Sequence, residues 1–512
     1  GAELRGQDNV AENFERRGGA LPDPPTGEAT PVRGAGAPAV ATSIDPTFVS
    51  RIPLNGRTIQ SLLALAPGMV TTQTGDVGQI SSNGLRTTMN AFYIDGVSAN
   101  IGVSLGSGSP GYSGAGVAGF STLGTTSNLV SVDALQEFAV QTSTFSAEFG
   151  RQPGAQVSMT TRSGTNDFRG SAFHYFRDDA LDATDWFVKR DNLQKPQART
   201  NNWGGTLGGP IVRNRTFFFA SFEQLRLQVP NTMTSEVLAR WVRDQAAPAL
   251  RPYVDATPLP TGPDNLATGR APFVTSYSDP SRLDAASGRV DHVFGSNVNV
   301  FARYNYSPSW SVTHPSPIYR NKVRMRTQTL TGGATMVFSP TLTNVVRVNW
   351  SDNRGTNAFL PSDFAGATPV SDEALAIGGI DPSASRGFVN FINGAGGVWG
   401  GYNGVNRSRQ FNATSTLTLA RRTHTFKVGV DYRRFSPELQ PALYDVNAQF
   451  TTPASVASGV ASFVLVNYWG PGRYSYDNVS AFGQDSWRAT DPVPHVHRRA
   501  QERHPPPPPG PP

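Results

Sequence analysis

Residues that could carry covalent chemistry or hold a metal are scarce in this sequence and poorly spaced. The chain of 512 residues contains no cysteine, which excludes a disulfide scaffold, a thiol nucleophile and a cysteine-ligated zinc or iron–sulfur site. His174, His292, His314 and His424 occur singly, without the spacing of metal ligands. The H-E-x-x-H motif of zinc hydrolases is also absent. We therefore expect no enzymatic activity, no metal site and no cofactor.

Two weaker motifs have simpler explanations. The run 106–111 fits G-x-G-x-x-G, but a dinucleotide site needs a strand before the motif and a helix after it, and both flanks here are Gly/Ser-rich. Four carboxylates cluster in RDDALDATDWF. They are Asp178, Asp179, Asp182 and Asp185. A calcium site is one interpretation, and a solvated loop is the interpretation that we favour.

The overall charge does not favour nucleic acid as a partner. Lys and Arg number 44 and Asp and Glu number 38, so the net charge is +6 over 512 residues, without a compact basic run. No stretch of apolar residues is long enough for a transmembrane helix. The first residues lack the apolar region of a signal peptide and an initiator methionine, so we expect an internal fragment or a processed product.

Much of the chain after Gly164 alternates between apolar and polar residues. The clearest cases are Val298–Tyr306, Leu330–Phe338, Leu342–Trp350 and Phe426–Arg434. Because successive side chains of a strand point to opposite faces, each segment predicts a strand with one apolar and one mostly polar face.

The connections between these strands differ at their two ends. Short turns are predicted at 295–297, 339–341 and 213–214, whereas the opposite ends are joined by segments of about 38 to 55 residues. This asymmetry favours an outer-membrane β-barrel over a soluble β-sandwich or propeller, which alternation alone would leave open. Aromatic residues near strand ends fit interfacial girdles. They are Tyr304, Tyr306, Trp350, Tyr432 and Trp487.

Ordered motifs run from about Ser43 to Thr490. They include RIPLNGRTIQSLLALAPGMV, SSNGLRTTMNAFYIDGVSAN, VSVDALQEFAVQTSTFSAEFGRQPGAQVSMTTRSGTNDFRGS, NNWGGTLGGPIVRNRTFFFASFEQLR and RRTHTFKVGVDYRRF. In this order they resemble TonB-dependent outer-membrane receptors, most closely the Oar-like subgroup. The resemblance implies a 22-stranded barrel that is filled by a plug domain and lies in the outer membrane of a Gram-negative type bacterium, in contact with outer-membrane lipid. It also implies nutrient import driven through the TonB complex.

The resemblance also identifies plug residues. The NGLR and IDGV segments correspond to the signature turn region of the plug. Asp133 and Glu137 are expected to open the strand that precedes AEFGR, and Glu148 and Arg151 are expected to face the barrel wall. The motif residues that this resemblance selects are Asn83, Gly84, Arg86, Asp95, Gly96, Glu137, Glu148, Gly150 and Arg151.

The predicted fold class is all-β with a small α+β plug and a partial antiparallel transmembrane β-barrel. We predict disorder or a linker at 1–42, the plug at 43–165, an incomplete barrel at 166–489 and a proline-rich tail at 490–512. About ten of the expected 22 strands are present, too few to close around a plug. The segment that would bind TonB is expected to be missing from this chain. The tail is interpreted as an out-of-frame translation, and a native disordered tail is the alternative.

Three functions are compatible with these features. The first is TonB-dependent uptake of a ligand whose identity the sequence does not reveal. The second is surface adhesion or envelope organisation without transport, because a fold does not determine a function. The third is a non-functional truncated product. Energy-coupled uptake that is lost without TonB would separate the first from the second.

Overall fold

The computed structural model describes residues 40–44, 59, 63–71, 80–103, 118–119, 121–123, 129–143 and 145–487. The predicted tail and nearly all of the predicted linker lie outside these residues. In the described part of the chain, no helix is long and apolar enough to cross a membrane.

The first part of the chain forms a five-stranded mixed sheet and a small hairpin. The sheet order is β1-β6-β7-β4-β5, in which β4 and β7 are parallel and the other neighbours are antiparallel. The hairpin pairs β2 with β3. The strands are β1 Val40–Ile44, β2 Met69–Thr71, β3 Ile80–Ser82, β4 Ala91–Ile94, β5 Val97–Ser98, β6 Leu135–Ser143 and β7 Gln156–Thr161. Two 3₁₀ helices, Thr87–Met89 and Val132–Ala134, precede β4 and β6.

This sheet has a core of its own. Phe138 and Val140 of β6 and Val157 and Met159 of β7 are fully buried together with Phe92 of β4. Buried and more exposed residues alternate along β7 from Val157 onward, so every second side chain of this strand points into the core of the sheet. We call this unit the plug.

A wall of ten antiparallel strands follows the plug. Its order is β8-β9-β10-β11-β12-β13-β14-β16-β17-β21, so that β8 and β21 are the edges of an open sheet within the described residues. The strands are β8 Arg169–Asp178, β9 Arg199–Val212, β10 Thr216–Leu238, β11 Arg270–Phe294, β12 Val298–Ser316, β13 Tyr319–Ser339, β14 Leu342–Pro361, β16 Gly396–Arg421, β17 His424–Pro441 and β21 Tyr476–Trp487. The predicted partial barrel is therefore confirmed.

The apolar face of the wall points outward. In β12, Arg303 and Asn305 are 2% exposed, whereas Tyr304 and Tyr306 between and beyond them are 45% and 39% exposed. In a soluble sheet the apolar face would be the buried one. The inverse arrangement, with polar residues inside and aromatic residues outside, is that of a transmembrane barrel.

The wall strands are longer than the alternating pattern predicts. Val298–Tyr306 is only the first half of β12, and Phe426–Arg434 covers about half of β17. Backbone pairing continues past the apolar band, where both faces are polar and the alternating pattern ends. The short turns lie at the predicted positions, since β9 and β10, β11 and β12, and β13 and β14 are joined by 213–215, 295–297 and 340–341.

The long connections fold into a separate apolar cluster at the other end of the wall. Leu238, Val242, Phe391 and Phe450 are among its buried members. Its strands are β15 Arg386–Phe391, β18 Tyr444–Phe450 and β19 Phe463–Tyr468, and the two-residue β20 Gly472–Arg473 pairs with β17. After residue 145 the described α-helices are Trp186–Arg190, Arg240–Gln245, Arg251–Asp255, Asp372–Leu375 and Pro453–Ser458, and the described 3₁₀ helices are Asp179–Leu181, Pro248–Leu250 and Ile377–Gly379.

Outward and inward positions of the wall should respond differently to a new charge. Val428 is 52% exposed on the outer face, and Thr416 borders the lumen beside the next residue of β17. We expect V428R to lower the free energy of unfolding in lipid vesicles by about 2–4 kcal/mol, because an arginine in hydrocarbon loses its hydration. T416R should change it by less than about 1 kcal/mol. Equal losses in a urea titration would contradict this orientation.

Candidate functional site

The tip of the β4–β5 hairpin carries a charged residue into the barrel lumen. Ile94 pairs with Val97, and the two residues between them have positive φ angles of 51° for Asp95 and 82° for Gly96. Two such residues form the turn that matches the twist of a hairpin, and Asp-Gly is a preferred pair for it. The turn therefore fixes the position of the Asp95 side chain.

The Asp95 carboxylate is buried and fully hydrogen-bonded. Its side chain is 2% exposed, and it accepts hydrogen bonds from the Thr161 backbone N at 2.9 Å and from Thr161 Oγ1 at 3.0 Å. Arg289 Nη1 of β11 lies 3.3 Å from Asp95 Oδ1. A buried carboxylate without such partners would be strongly destabilising, so this geometry requires both the plug strand β7 and the wall.

Two further arginines of the wall converge on the same residue. Arg303 Nη1 of β12 lies 4.0 Å from Asp95 Oδ2, and Arg347 Nε of β14 donates to the Asp95 backbone O at 3.2 Å. Three cations from three wall strands thus surround one plug carboxylate. We call Asp95, Arg289, Arg303 and Arg347 the lumen charge cluster.

The register of the wall explains why an anion is needed there. Arg289 and Arg303 are directly opposite each other in the β11–β12 pair. Like charges at directly opposed positions repel, which destabilises a sheet unless an anion lies between them. Asp95 supplies this anion from the plug, and Asp291 supplies a second one at 2.7 Å from Arg289 Nη2.

An aromatic ring supports two of the arginines. The guanidinium carbons of Arg289 and Arg347 lie 4.2 Å and 5.1 Å from the centre of the Phe301 ring. Gly333 of β13 is paired with Phe301 of β12 on one side and with Arg347 of β14 on the other. A Cβ atom at Gly333 would overlap the Phe301 ring and approach Arg347 Cδ to 2.7 Å. The missing side chain at Gly333 therefore lets Arg347 reach both the ring and Asp95.

Arg303 also binds the plug backbone. Its guanidinium donates to Leu129 O at 2.6 Å and to Ser287 Oγ at 3.1 Å. The side chain is 2% exposed, so these two acceptors replace the water that a free arginine would bind. Arg303 thus connects the wall to two separate segments of the plug.

A second set of contacts joins β5 to β16. Ser98 N donates to Asn412 Oδ1 at 3.1 Å, and Gln410 Nε2 donates to Ser98 O at 2.7 Å. Next to them, Arg433 of β17 donates to Asn100 O. These hydrogen bonds align the plug edge with the wall through the backbone rather than through apolar packing.

The third set involves the segment between β6 and β7. Arg151 Nη2 lies 3.1 Å from Asp431 Oδ2, and Glu148 Oε1 lies 3.5 Å from Lys427 Nζ, both on β17. Ser146 Oγ donates to Gln484 Oε1 of β21 at 2.7 Å. The structure thus places both Glu148 and Arg151 against the wall.

Asn83, Gly84, Arg86, Glu137 and Gly150 form no hydrogen bond or ion pair with the described residues of the wall. Asn83 and Gly84 form a turn with φ angles of 49° and 76°, in which Asn83 Nδ2 donates to Thr142 O at 3.1 Å. Arg86 is exposed before a 3₁₀ helix, and Gly150 is exposed. Glu137 is exposed in β6, which begins at Leu135. The expectation that Asp133 helps to open this strand is wrong, because Asp133 belongs to the preceding 3₁₀ helix, whose turn ends before the strand hydrogen bonds begin.

Two cavities separate the plug from the wall. One of about 690 Å³ is bordered by Asp95, Glu148, Arg289, Arg347 and Lys427. The other, of about 670 Å³, is bordered by Tyr93, Arg151, Asp431 and Arg433 among others. Burial raises the pKa of the Tyr93 hydroxyl above the ordinary value of a tyrosine. Both cavities are lined in part by charged and polar groups.

The aspartate cluster outside the lumen is paired with cations. Asp178 Oδ2 lies 2.9 Å from Arg199 Nη2, and Asp182 Oδ2 lies 2.9 Å from Arg177 Nη2. Among the residues that the structure describes, no group of His, Asp or Glu side chains could hold a metal ion.

The wall arginines of the lumen charge cluster were not selected from the sequence. An inward arginine by itself is an ordinary lumen residue. The available signal was the register: a turn at 295–297 places Arg289 opposite Arg303, and this like-charge pair demands an anion.

Neutralising Asp95 should loosen the plug. We expect D95N to raise the amide exchange rate of residues 91–98 about a hundredfold, because three arginines lose their buried counterion at a cost of about 3 kcal/mol. Asparagine tolerates the positive φ, so the turn remains. E137Q removes an exposed plug carboxylate and should leave exchange unchanged, as measured by mass spectrometry. Equal rates for D95N and the unmodified protein would contradict the role of the cluster.

Comparisons with known proteins agree with this architecture. The family described as "Outer membrane beta barrel domain" matches residues 160–243 and 240–493. The TonB-dependent transporter Oar of Myxococcus xanthus is 27% identical over 222 residues, which are 41% of this chain and 19% of that protein.

Solved structures show the same fold. The outer membrane transporter YddB from Escherichia coli has a TM-score of 0.59 at 13% identity, over 88% of this chain and 55% of its own. A mutant of the ferric enterobactin receptor of Pseudomonas aeruginosa, in complex with enterobactin, has a TM-score of 0.54 at 13% identity, over 88% of this chain and 56% of its own. The chain spans little more than half the length of these structures. It belongs to the outer-membrane β-barrel family and is a protein of the cell outer membrane that resembles the TonB-dependent receptors, in particular Oar.

Proposed function

We propose that this protein takes up a ligand across the outer membrane, with the TonB complex supplying the force that moves the plug. The ligand binds on the side of the long connections, and its path runs between the plug and the wall. The observation that carries this proposal is the polar character of the interface around the plug.

The wall meets the plug mainly through polar groups. Ser131 Oγ donates to Glu223 Oε2 at 2.6 Å, and Thr122 N donates to Ser309 Oγ at 3.1 Å. Among the described residues, Phe219 is the one wall residue in the apolar core of the plug. An apolar interface would cost about 25 cal/mol for each Å² that is exposed to water, whereas polar groups exchange partners with water at a small net cost.

Several buried groups of the interface are also incompletely paired. Arg151 Nε and Nη1, Arg433 Nε and both amide atoms of Asn353 have no hydrogen-bond partner in the described structure. Such groups gain hydrogen bonds when water enters. They lower the free-energy cost of displacing the plug from the wall. A low cost is what a domain needs if it moves out of the barrel and back during each transport cycle.

The lumen charge cluster gives the movement a defined starting point. Asp95 lies at the tip of a two-residue turn, so a pull on the plug that displaces β4 and β5 would separate it from all three arginines together. We propose that this separation connects the two cavities beside the plug into a polar passage.

A reversible cross-link between plug and wall tests the proposal. S98C/N412C adds a cysteine pair to residues 1–512, which contain no cysteine, on β5 and β16 where Ser98 N donates to Asn412 Oδ1 at 3.1 Å. We expect cells with the full natural-length receptor to deplete at least one compound from a defined metabolite mixture. The oxidised variant should lose this depletion and regain it on reduction, as measured by mass spectrometry of the medium.

The matched control is T343C/T418C, which joins two paired strands within the wall and should leave depletion unchanged. Deleting the TonB partner should abolish depletion in all strains. If no compound is depleted, or if depletion persists without TonB or with the cross-link, the uptake proposal is wrong. Cell attachment that depends on the protein would then favour the adhesion function.

A further inference from the structure

Arginines follow the outer face of the wall near its long-connection end. In three of the strand pairs, Arg226 lies opposite Arg282, Arg326 lies opposite Arg354, and Arg354 lies opposite Arg407. Like charges at three directly opposed pairs repel one another, so the surface favours an external anion. We call these residues the arginine band: Arg226, Arg282, Arg324, Arg326, Arg354, Arg407 and Arg409.

The band lies just beyond the apolar zone of the wall. Trp350 and Phe411 are 39% and 41% exposed on the outer face and lie opposite each other. Arg354 and Arg407 follow them four residues further toward the long connections. At 3.4 Å per residue and the tilt of barrel strands, this step is about 10 Å along the membrane normal, which is the depth of lipid headgroups.

Acidic partners neutralise only part of the band. Asp352 lies 2.5 Å from Arg407 Nε and 3.3 Å from Arg326 Nη2, and Asp284 lies 2.8 Å from Arg282 Nε. A separate group remains without a carboxylate. Arg226, Arg324 and Arg354 are exposed and form no ion pair with any described residue.

Two clefts on this face bring the arginines together around a tryptophan. The first, of about 460 Å³, is bordered by Arg226, Arg282 and Trp310. The second, of about 400 Å³, is bordered by Trp310, Arg324 and Arg354. Trp310 separates the clefts, and it lies opposite Arg282 on one side and Arg324 on the other. Each cleft therefore offers guanidinium groups beside an aromatic surface.

We propose that the arginine band binds the phosphate groups of a bisphosphorylated glycolipid of the outer leaflet, of the lipid A type. Guanidinium groups form paired hydrogen bonds with phosphate oxygens. The two clefts provide separate places for two phosphates, and the apolar wall below the band accommodates acyl chains. The long connections place the band at the outer leaflet rather than the periplasmic one. A free phosphate would use the arginines but not the apolar wall.

The test uses the full natural-length protein, purified in detergent and freed of lipid. We expect it to bind bisphosphorylated lipid A in native mass spectrometry, and R226Q/R324Q/R354Q to bind it at least tenfold more weakly. R213Q/R421Q/R422Q removes three exposed arginines at the short turns and should bind lipid A like the unmodified protein. Heat-modifiability on gels verifies the fold, and R324Q alone replaces the triple variant if that variant does not fold.

Two further probes identify the group that is recognised. Lipid A without its phosphates should bind at least tenfold more weakly, and inorganic phosphate should not displace the intact lipid at equal concentration. Unchanged binding by the band variant, tight binding of the dephosphorylated lipid, or displacement by inorganic phosphate would each overturn the proposal. None of these measurements depends on whether the protein transports a ligand.

Discussion

The arrangement depends on the burial of one carboxylate among three arginines. Asp95 comes from the plug and Arg289, Arg303 and Arg347 come from the wall, and neither side can bury its charges alone. The side chains of Asp95 and Arg303 are each 2% exposed, so leaving either of them unpaired would cost several kcal/mol. Because the charges match only when the hairpin tip is in place, the cluster determines the position of the plug as well as its attachment.

Because successive side chains of a strand point to opposite faces, one strand of the wall contacts both the plug and the lipid. In β12, Arg303 faces the plug while Tyr304 faces outward, and Trp310 belongs to the outer clefts further along the same strand. A single alternating segment therefore supplies a plug contact, a lipid contact and part of the arginine band. A shift of one residue in the register would turn every inward side chain of the strand outward and every outward one inward. The register of the wall is therefore strongly specified.

Local patterns predicted the strands and turns of the wall, because a period of two and a short turn are properties of neighbouring residues. They did not predict the full strand lengths, since in β13 the pairing continues through Arg326 and Arg324, where the apolar face has ended. The positions of Glu148 and Arg151 followed from the family resemblance. The partners of Asp95 were missed because they lie about 190 to 250 residues away, and only the opposed pair Arg289 and Arg303 signalled a missing anion.

The most direct test is the coupling between Asp95 and Arg289, measured by a double-mutant cycle with D95N and R289Q. The observable is the free energy of local opening of residues 91–98, from amide exchange of the full natural-length protein in detergent. If the plug is held by this ion pair, the two substitutions should be non-additive by more than about 1 kcal/mol. Effects that add to within about 0.3 kcal/mol would contradict the account, since they would show that the plug is positioned by other contacts.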